Sequence, residues 1–392
     1  MNYSSTIVKF VTYDPDETGE ETICVDSYHP ILIIMSHGKR RKRCDSMQFI
    51  GDTSTEIAIN VIEKQWKQLT ISTYVTSNHF DIDSFLAVWC LINPSEAIKY
   101  KDILIEAAKI DDLREMNLSK DNTVIPNSTT DKALKLCCWI TEIEHEYFWK
   151  TYDINFNEVD DCYKKFNFFL SKLTTILEDI DSNNLQIEMY KPLYNKIISD
   201  LEFLYTSGNT KIEKWEDLGI AVVFVDKPLH YYALFHPACN MDTVITVYPD
   251  NKYEIEDKYT SFIQLTSRKS WPRIPLDALI TVLNKKESRY IWGCDNLTTL
   301  GKITQLYENT KVPKNYVIDY QGPCIRNILS SDIKSDEFLN LVKSLYTFVK
   351  NKSPIKYPKI YWSWEEINEI AMSVPWKEWV THRCPYGSRS SV

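Results

Sequence analysis

Residues 70–94 read TISTYVTSNHFDIDSFLAVWCLINP: a β-branched and aromatic run, a short polar loop carrying His79, Asp81 and Asp83, then an apolar run of helical length opened by Ser84. This order constrains the fold more than any other stretch of the chain. A strand that hands over to a helix through a short loop is half of a βαβ unit, and in open α/β sheets ligands bind outside the carboxyl ends of the strands. An imidazole and two carboxylates on alternate loop positions supply the borderline nitrogen and hard oxygen donors that a divalent ion takes. The same Asp residues can instead cap the following helix, a task for which one of the three polar groups suffices.

The flanking sequence extends the pattern. Residues 31–35 are continuously apolar, as in a strand buried on both faces. They run into Ser36-His37-Gly38, which puts His37 at a strand end like His79. Loops from neighbouring parallel strands converge, so the two histidines are expected on one sheet edge. From Asp52, DTSTEIAINVIEKQW has the grammar of a helix start, with Glu56 three residues after Thr53 as in a capping box. Asp52 is therefore a cap or a site residue. Residues 99–116 have helical spacing and carry Asp111 and Asp112 near their end. The order β, α, β, α predicts a parallel sheet with helices packed on it.

Farther on, ALKLCCWITEIEHEYFWKTY, CYKKFNFFLSKLTTILEDI and LYNKIISDLEFLY are amphipathic at helical period. At Gly219 the period changes. IAVVFVD, HYYALFH, DTVITVYP and YEIEDKYTSFIQLTS read as strands of an antiparallel sheet, with His230 and His236 as sheet residues and Pro249-Asp250-Asn251 as a turn. PLDALITVLNKKE and DEFLNLVKSLYTFVKNK read as helices, YIWGCD as a strand. The expected class is α/β in three parts. An N-terminal parallel-sheet domain (1–116) carries the His-x-Asp-x-Asp site, a helical insertion or cap follows (117–215), and an α+β C-terminal domain with a helical tail (216–392) contains the antiparallel sheet.

The formal charge of -9 opposes duplex nucleic acid as a partner, because such binding rests on Lys and Arg neutralising phosphates. The basic run at residues 39–43 reads as a solvated loop. No leader is recognisable, and no apolar run approaches the roughly 20 residues of a membrane span, so no membrane partner is expected. Ten cysteines lack the spacing of a disulfide framework, which predicts a reduced, cytoplasmic protein. Dinucleotide, phosphate-loop and nucleophile-elbow motifs are all missing from the sequence.

The hexapeptide His79-Phe80-Asp81-Ile82-Asp83-Ser84 resembles the first motif of the DHH phosphoesterase superfamily, with Ser84 where Gly is commoner. The resemblance implies Asp81 and Asp83 as ligands of a two-metal centre of Mn²⁺ or Mg²⁺, and His79 as ligand or phosphate contact. It also implies Asp111 or Asp112 in the place of the family's second-motif Asp. FIQLTSRKSWPRIPLDALITVLN is similar in layout to that family's substrate domain, which implies that Arg268, after Ser267, holds substrate. The Asp-His-His triplet is absent, and WGCDN stands where a Gly-Gly-Gly-His element is expected. Among the histidines, His37, His145, His230 and His236 are the candidates for a second metal position. DTSTEIA paired with NHFDxD also resembles a family of uncharacterised bacterial proteins.

The expected function is that of a metal-dependent hydrolase, a DHH-like phosphoesterase acting on a small anionic substrate. His79, Asp81 and Asp83 carry the chemistry, His37 and Arg268 bind substrate, and His79, Asp81, Asp83, Asp111, Asp112 and Asp52 are the candidate ligands. The alternatives are a metal-dependent hydrolase of amides or esters, and a catalytically silent binding protein on the same fold.

Overall fold

Short β-branched runs make a four-stranded parallel sheet from β1 (Lys9–Phe10), β2 (Thr22–Val25), β3 (Ile33–Met35) and β4 (Tyr74–Thr76), in the order β1-β4-β2-β3. The central strand β2 registers Ile23 against Ile33 on one side and Val75 on the other. Val25, Met35 and Val75 are completely buried, as strands covered on both faces require. The computed structural model describes residues 9–16, 19, 21–37, 49–148, 158–182, 188–258, 260, 263–297, 302–308 and 328–383. The basic run at 39–43 and the final RSSV lie outside the described residues.

Helix α1 (Ser54–Glu63) starts as its sequence predicts, with Thr53 accepting from the Glu56 amide at 3.1 Å. The return arm is shifted by one residue: Glu56 Oε2 accepts from the Asp52 amide, not from that of Thr53. Helix α2 (Ile82–Ile92) opens two residues before Ser84. Asp81 caps it, accepting from Ser84 N at 2.7 Å, while Ser84 Oγ accepts from Asp81 N at 3.0 Å. From Phe85 to Leu91 every α2 side chain is buried, the mark of a helix enclosed on all sides. It packs on α1 and on α4 (Lys101–Asp112), which follows the short α3 (Pro94–Lys99).

The helical block comprises α5 (Thr129–Tyr147), α6 (Glu158–Leu170), α7 (Leu173–Asp181) and α8 (Lys191–Thr206). The segment CYKKFNFFLSKLTTILEDI, amphipathic at helical period, divides at Ser171-Lys172 into α6 and α7. Phe166 and Phe169 of α6 stack against Phe10 and Phe80 respectively, so this block shares its core with the parallel sheet. By packing the chain forms two compact units: residues 1–202 with Ile263–Ser267, and residues 203–262 with 268–392. The boundaries expected from periodicity, at 116/117 and 215/216, do not coincide with this division.

The second unit contains β5 (Lys211–Trp215), β6 (Ile220–Phe224), β7 (Thr243–Tyr248), β8 (Lys252–Asp257), β9 (Ile291–Cys294) and β10 (Ile303–Tyr307), ordered β5-β6-β7-β8-β10-β9. The pairings are antiparallel except β6 with β7, which run parallel. That exception corrects the reading of HYYALFH as a strand. Tyr232, Ala233, Leu234 and Phe235 are buried consecutively, without the alternation of a strand, in α9 (Tyr231–Leu234) and the helical turn after it. His230 caps this helix through Nδ1, which accepts from Tyr232 N, so His230 and His236 belong to the crossover between parallel strands. Asp250 and Asn251 both have positive φ in the β7–β8 hairpin turn, as expected. Helices α10 (Asp277–Lys286), α11 (Ser335–Lys352), α12 (Trp364–Ser373) and α13 (Trp376–Arg383) bury Phe338, Leu345, Trp362 and Trp379 with Ile245 and Trp292 of the sheet. The chain is thus an α/β protein, and no described helix is long and apolar enough to cross a membrane.

Candidate metal centre

The carboxyl ends of β2, β3 and β4 deliver Asp26, His37 and His79 to one edge of the parallel sheet. Asp26 directly follows β2 in left-handed backbone (φ 47°), with its N–H bonded to Met35 O at 2.8 Å. His37 Nδ1 lies 2.6 Å from the carbonyl of Asp52. A carbonyl only accepts, so Nδ1 carries the hydrogen and Nε2 faces the carboxylates. Those are Asp112 Oδ2 at 3.1 Å, Asp26 Oδ1 at 3.5 Å and Asp83 Oδ2 at 3.7 Å. His79 is arranged likewise. Its Nδ1 donates to Asn78 Oδ1 at 2.9 Å, an oxygen that also accepts from Ser27 Oγ, and its Nε2 lies 3.0 Å from Asp81 Oδ2 and 3.4 Å from Asp26 Oδ2.

Two triads result, Asp26–His37–Asp83 and Asp26–His79–Asp81, and within each one ligand atom per residue lies within 4.8 Å of the others. Asp26 belongs to both and turns Oδ1 to one histidine and Oδ2 to the other. The His37 side is closed, with the side chains of His37 and Asp83 5% and 0% exposed; the His79 side is open, with His79 at 28% and Asp81 at 36%. Asp83 is pinned from behind by the first turn of α1, its Oδ2 accepting from Ser54 N at 2.7 Å and its Oδ1 from Thr55 N at 2.8 Å. Ser54 Oγ donates to Asp26 Oδ1 at 2.6 Å.

The electrostatics follow from crowding. Burial by itself would depress His37, but the hydrogen bond and charge of Asp112, with Asp26 and Asp83, raise it to about 10. His79 is raised well above its ordinary value against burial by Asp81 and Asp26. Burial, and then the charge of Asp26, push Asp83 up to about 6. Burial and Asp83 likewise hold Asp112 well above the carboxylate range, while, against partial desolvation, His79 and the Ser84 bonds take Asp81 down to about 2. Asp26, Asp81, Asp83 and Asp112 thus crowd round two imidazoles, and the raised values of Asp83 and Asp112 express the cost of keeping so many carboxylates charged together. Buried charge of one sign demands a partner. The donor set suits a divalent cation: carboxylate oxygens, and two Nε2 atoms whose opposite ring nitrogens are committed to oxygen acceptors, the arrangement that fixes a metal-binding histidine.

Several expected residues make other contacts. Of the two candidates at the end of α4, Asp112 reaches His37, whereas Asp111 Oδ2 accepts from Ile82 N at the start of α2. The Asp52 carboxylate is engaged by other partners: Oδ1 accepts from Thr266 N, Thr266 Oγ1 and Ser267 N, and Oδ2 lies 3.4 Å from Lys109. Burial would raise this group, yet those hydrogen bonds hold it at about 2. The carbonyl of Asp52 is the group that faces His37 Nδ1. Arg268 belongs to the second unit, where its guanidinium pairs with Asp242 at 2.9 Å. His230 and His236 are in that unit too, His236 hydrogen-bonded to the Tyr205 hydroxyl. The residue that sequence reasoning missed is Asp26. Its signal was present, a buried strand TICV ending on Asp-Ser, but no motif marks it.

No curated protein matches the chain. A family model described as "Family of unknown function (DUF6687)" matches residues 6–354, so the chain belongs to the DUF6687 family.

Proposed function

We propose that the chain is a metal-dependent hydrolase of DHH-like type that cleaves a phosphoester in a small anionic substrate. The observation that carries this reading is the sharing of Asp26: two His/Asp triads meet on opposite oxygens of one carboxylate, and each histidine turns Nε2 inward because its Nδ1–H is bound elsewhere. Asp26, His37 and Asp83 would hold one ion, and Asp26, His79 and Asp81 the other. Asp112 would flank the first. Oxygen-rich sets with one imidazole each suit Mn²⁺ or Mg²⁺, Mn²⁺ the better of the two. Such ions supply Lewis-acid polarisation of a phosphoryl oxygen and a clamp on its charge.

The chain's own residues divide the remaining work. The Ser54 and Thr55 amides keep Asp83 aimed at the cluster, the Asp52 carbonyl and the Asn78 side chain keep each ring in one tautomer, and His79 with Asp81 forms the solvent-facing side on which a substrate would arrive. The ten cysteines lack the spacing of a disulfide framework, which agrees with a reducing compartment, and we place the protein in the cytoplasm.

Calorimetric titration of the purified protein with Mn²⁺, followed by a screen of phosphomonoesters and phosphodiesters against carboxyl esters and amides, tests the reading. Stoichiometric binding and phosphoester cleavage, both lost when Asp81→Ala is combined with Asp83→Ala, is the expected result. No binding at saturating Mn²⁺ overturns it. Turnover confined to carboxyl esters or amides reassigns the reaction, and binding without any turnover leaves a binding protein.

A further inference from the structure

Asp52 is 1% exposed, and each of its polar groups has a partner. Its carbonyl receives the His37 ring hydrogen, its amide donates to Glu56 Oε2, and its carboxylate takes three hydrogen bonds from Thr266 and Ser267. The second carboxylate oxygen meets the Lys109 ammonium, which also lies 3.5 Å from Glu56. Thr266 and Ser267 close the strap Ile263–Ser267, which packs with the first unit although the chain on either side of it belongs to the second. The same strap grips His37 directly: Gln264 N donates to His37 O at 3.0 Å. One five-residue segment therefore holds both the backbone of the histidine and the residue from which its ring hangs.

We propose that Asp52 is a positioning residue for the His37 imidazole, its carboxylate locking to the strap Ile263–Ser267 the same residue whose carbonyl fixes the ring. This rests on the metal-dependent reading above. The chemistry is that of an outer-shell partner. A ring whose Nδ1–H is held by a fixed carbonyl presents its Nε2 lone pair in one direction, and loss of such a partner lowers metal affinity by about 10–100-fold. Asp52→Ala keeps the carbonyl itself but frees it from the strap, so the ring loses its fixed support while every ligand stays in the chain. A purely structural anchor would lower stability without regard to which histidine is present.

The test is a double-mutant cycle on the full chain, read as Mn²⁺ affinity by calorimetry, with thermal unfolding as the control for folding. Asp52→Ala should weaken Mn²⁺ binding by about 10–100-fold. It should add nothing in a His37→Ala background, because the effect acts through that ring. If Asp52→Ala does not fold, Thr266→Val carries the test. It removes one of the three donors to the carboxylate, and must weaken Mn²⁺ binding in the wild-type background and be silent with His37→Ala. Wild-type affinity in the folded variant, or equal effects with and without His37, overturns the positioning role alone. A wild-type chain that takes up no Mn²⁺ overturns the metal reading and this role with it.

Discussion

Replacing Asp26 by Asn tests whether one carboxylate serves both triads. Asn has the shape of Asp, but its amide nitrogen has no lone pair to give, so only one side of the residue still offers an oxygen. A ligand that binds the native chain and not the unfolded one adds RT ln(1 + [L]/Kd), about 2.7 kcal/mol per site at a hundredfold excess. Two ions meeting on Asp26 should therefore stabilise the wild type by about 5 kcal/mol, and a single ion should stabilise Asp26→Asn by about 2.7 kcal/mol at most. Without metal the change is smaller. Loss of the Asp26 charge relieves Asp83, but it also removes a partner of both imidazoles and weakens the Ser54 hydroxyl bond. These terms oppose one another, and each is on the order of 1–3 kcal/mol. Urea unfolding followed by tryptophan fluorescence, with and without Mn²⁺, reads both quantities. The shared-ligand argument fails if Asp26→Asn gains as much from Mn²⁺ as wild type does, or if wild type gains only a single-site increment.

Three further outcomes follow from the same geometry. Asp81 both caps α2 and faces His79; Asp81→Ser and Asp81→Ala lose the His79 contact alike but only Ser keeps a capping oxygen, so without metal Ala should be less stable than Ser by about 1 kcal/mol, and titration should show both losing the open-side ion. Gly219 has φ 69°, and an added Cβ would stand 2.3 Å from a ring carbon of Trp271. Gly219→Ala should therefore cost about 2–5 kcal/mol in urea unfolding, the left-handed penalty plus overpacking, and a loss under about 1 kcal/mol would show that backbone and ring both yield. His236 is lowered to about 4 by burial and by Lys214 and Lys258. Its folded value lies below its unfolded one, so the unfolded chain binds the extra proton, and stability should fall by about 3 kcal/mol as pH drops from about 7 to 4. Measured as the difference between wild type and His236→Gln across that range, this slope should vanish in the variant.

What could be read in advance was local. The strand-loop-helix of residues 70–94, the Thr53–Glu56 start of α1 and the cap at Asp81 each depend on a few consecutive residues, and the structure has all three, with Asp81 in the place expected of Ser84. HYYALFH was misread because a short apolar run has no period to separate helix from strand, and the parallel β6–β7 pair was lost with it.

Consecutive residues were enough to show that a histidine and two carboxylates stand where a strand passes into a helix, and that His37 ends another strand; that β2 lies between those two strands was not legible there. Tertiary structure alone decided which other groups join them. Asp26 arrives because β2 pairs in parallel with both β3 and β4. Helix phase at the end of α4 sends Asp112, and not Asp111, to His37. Asp52 turns its carboxylate to donors 214 and 215 residues away in the chain. Periodicity and capping act over a few residues and are written in them, whereas a site assembled from several strand ends depends on pairing and packing between segments whose separation in sequence carries no local signal.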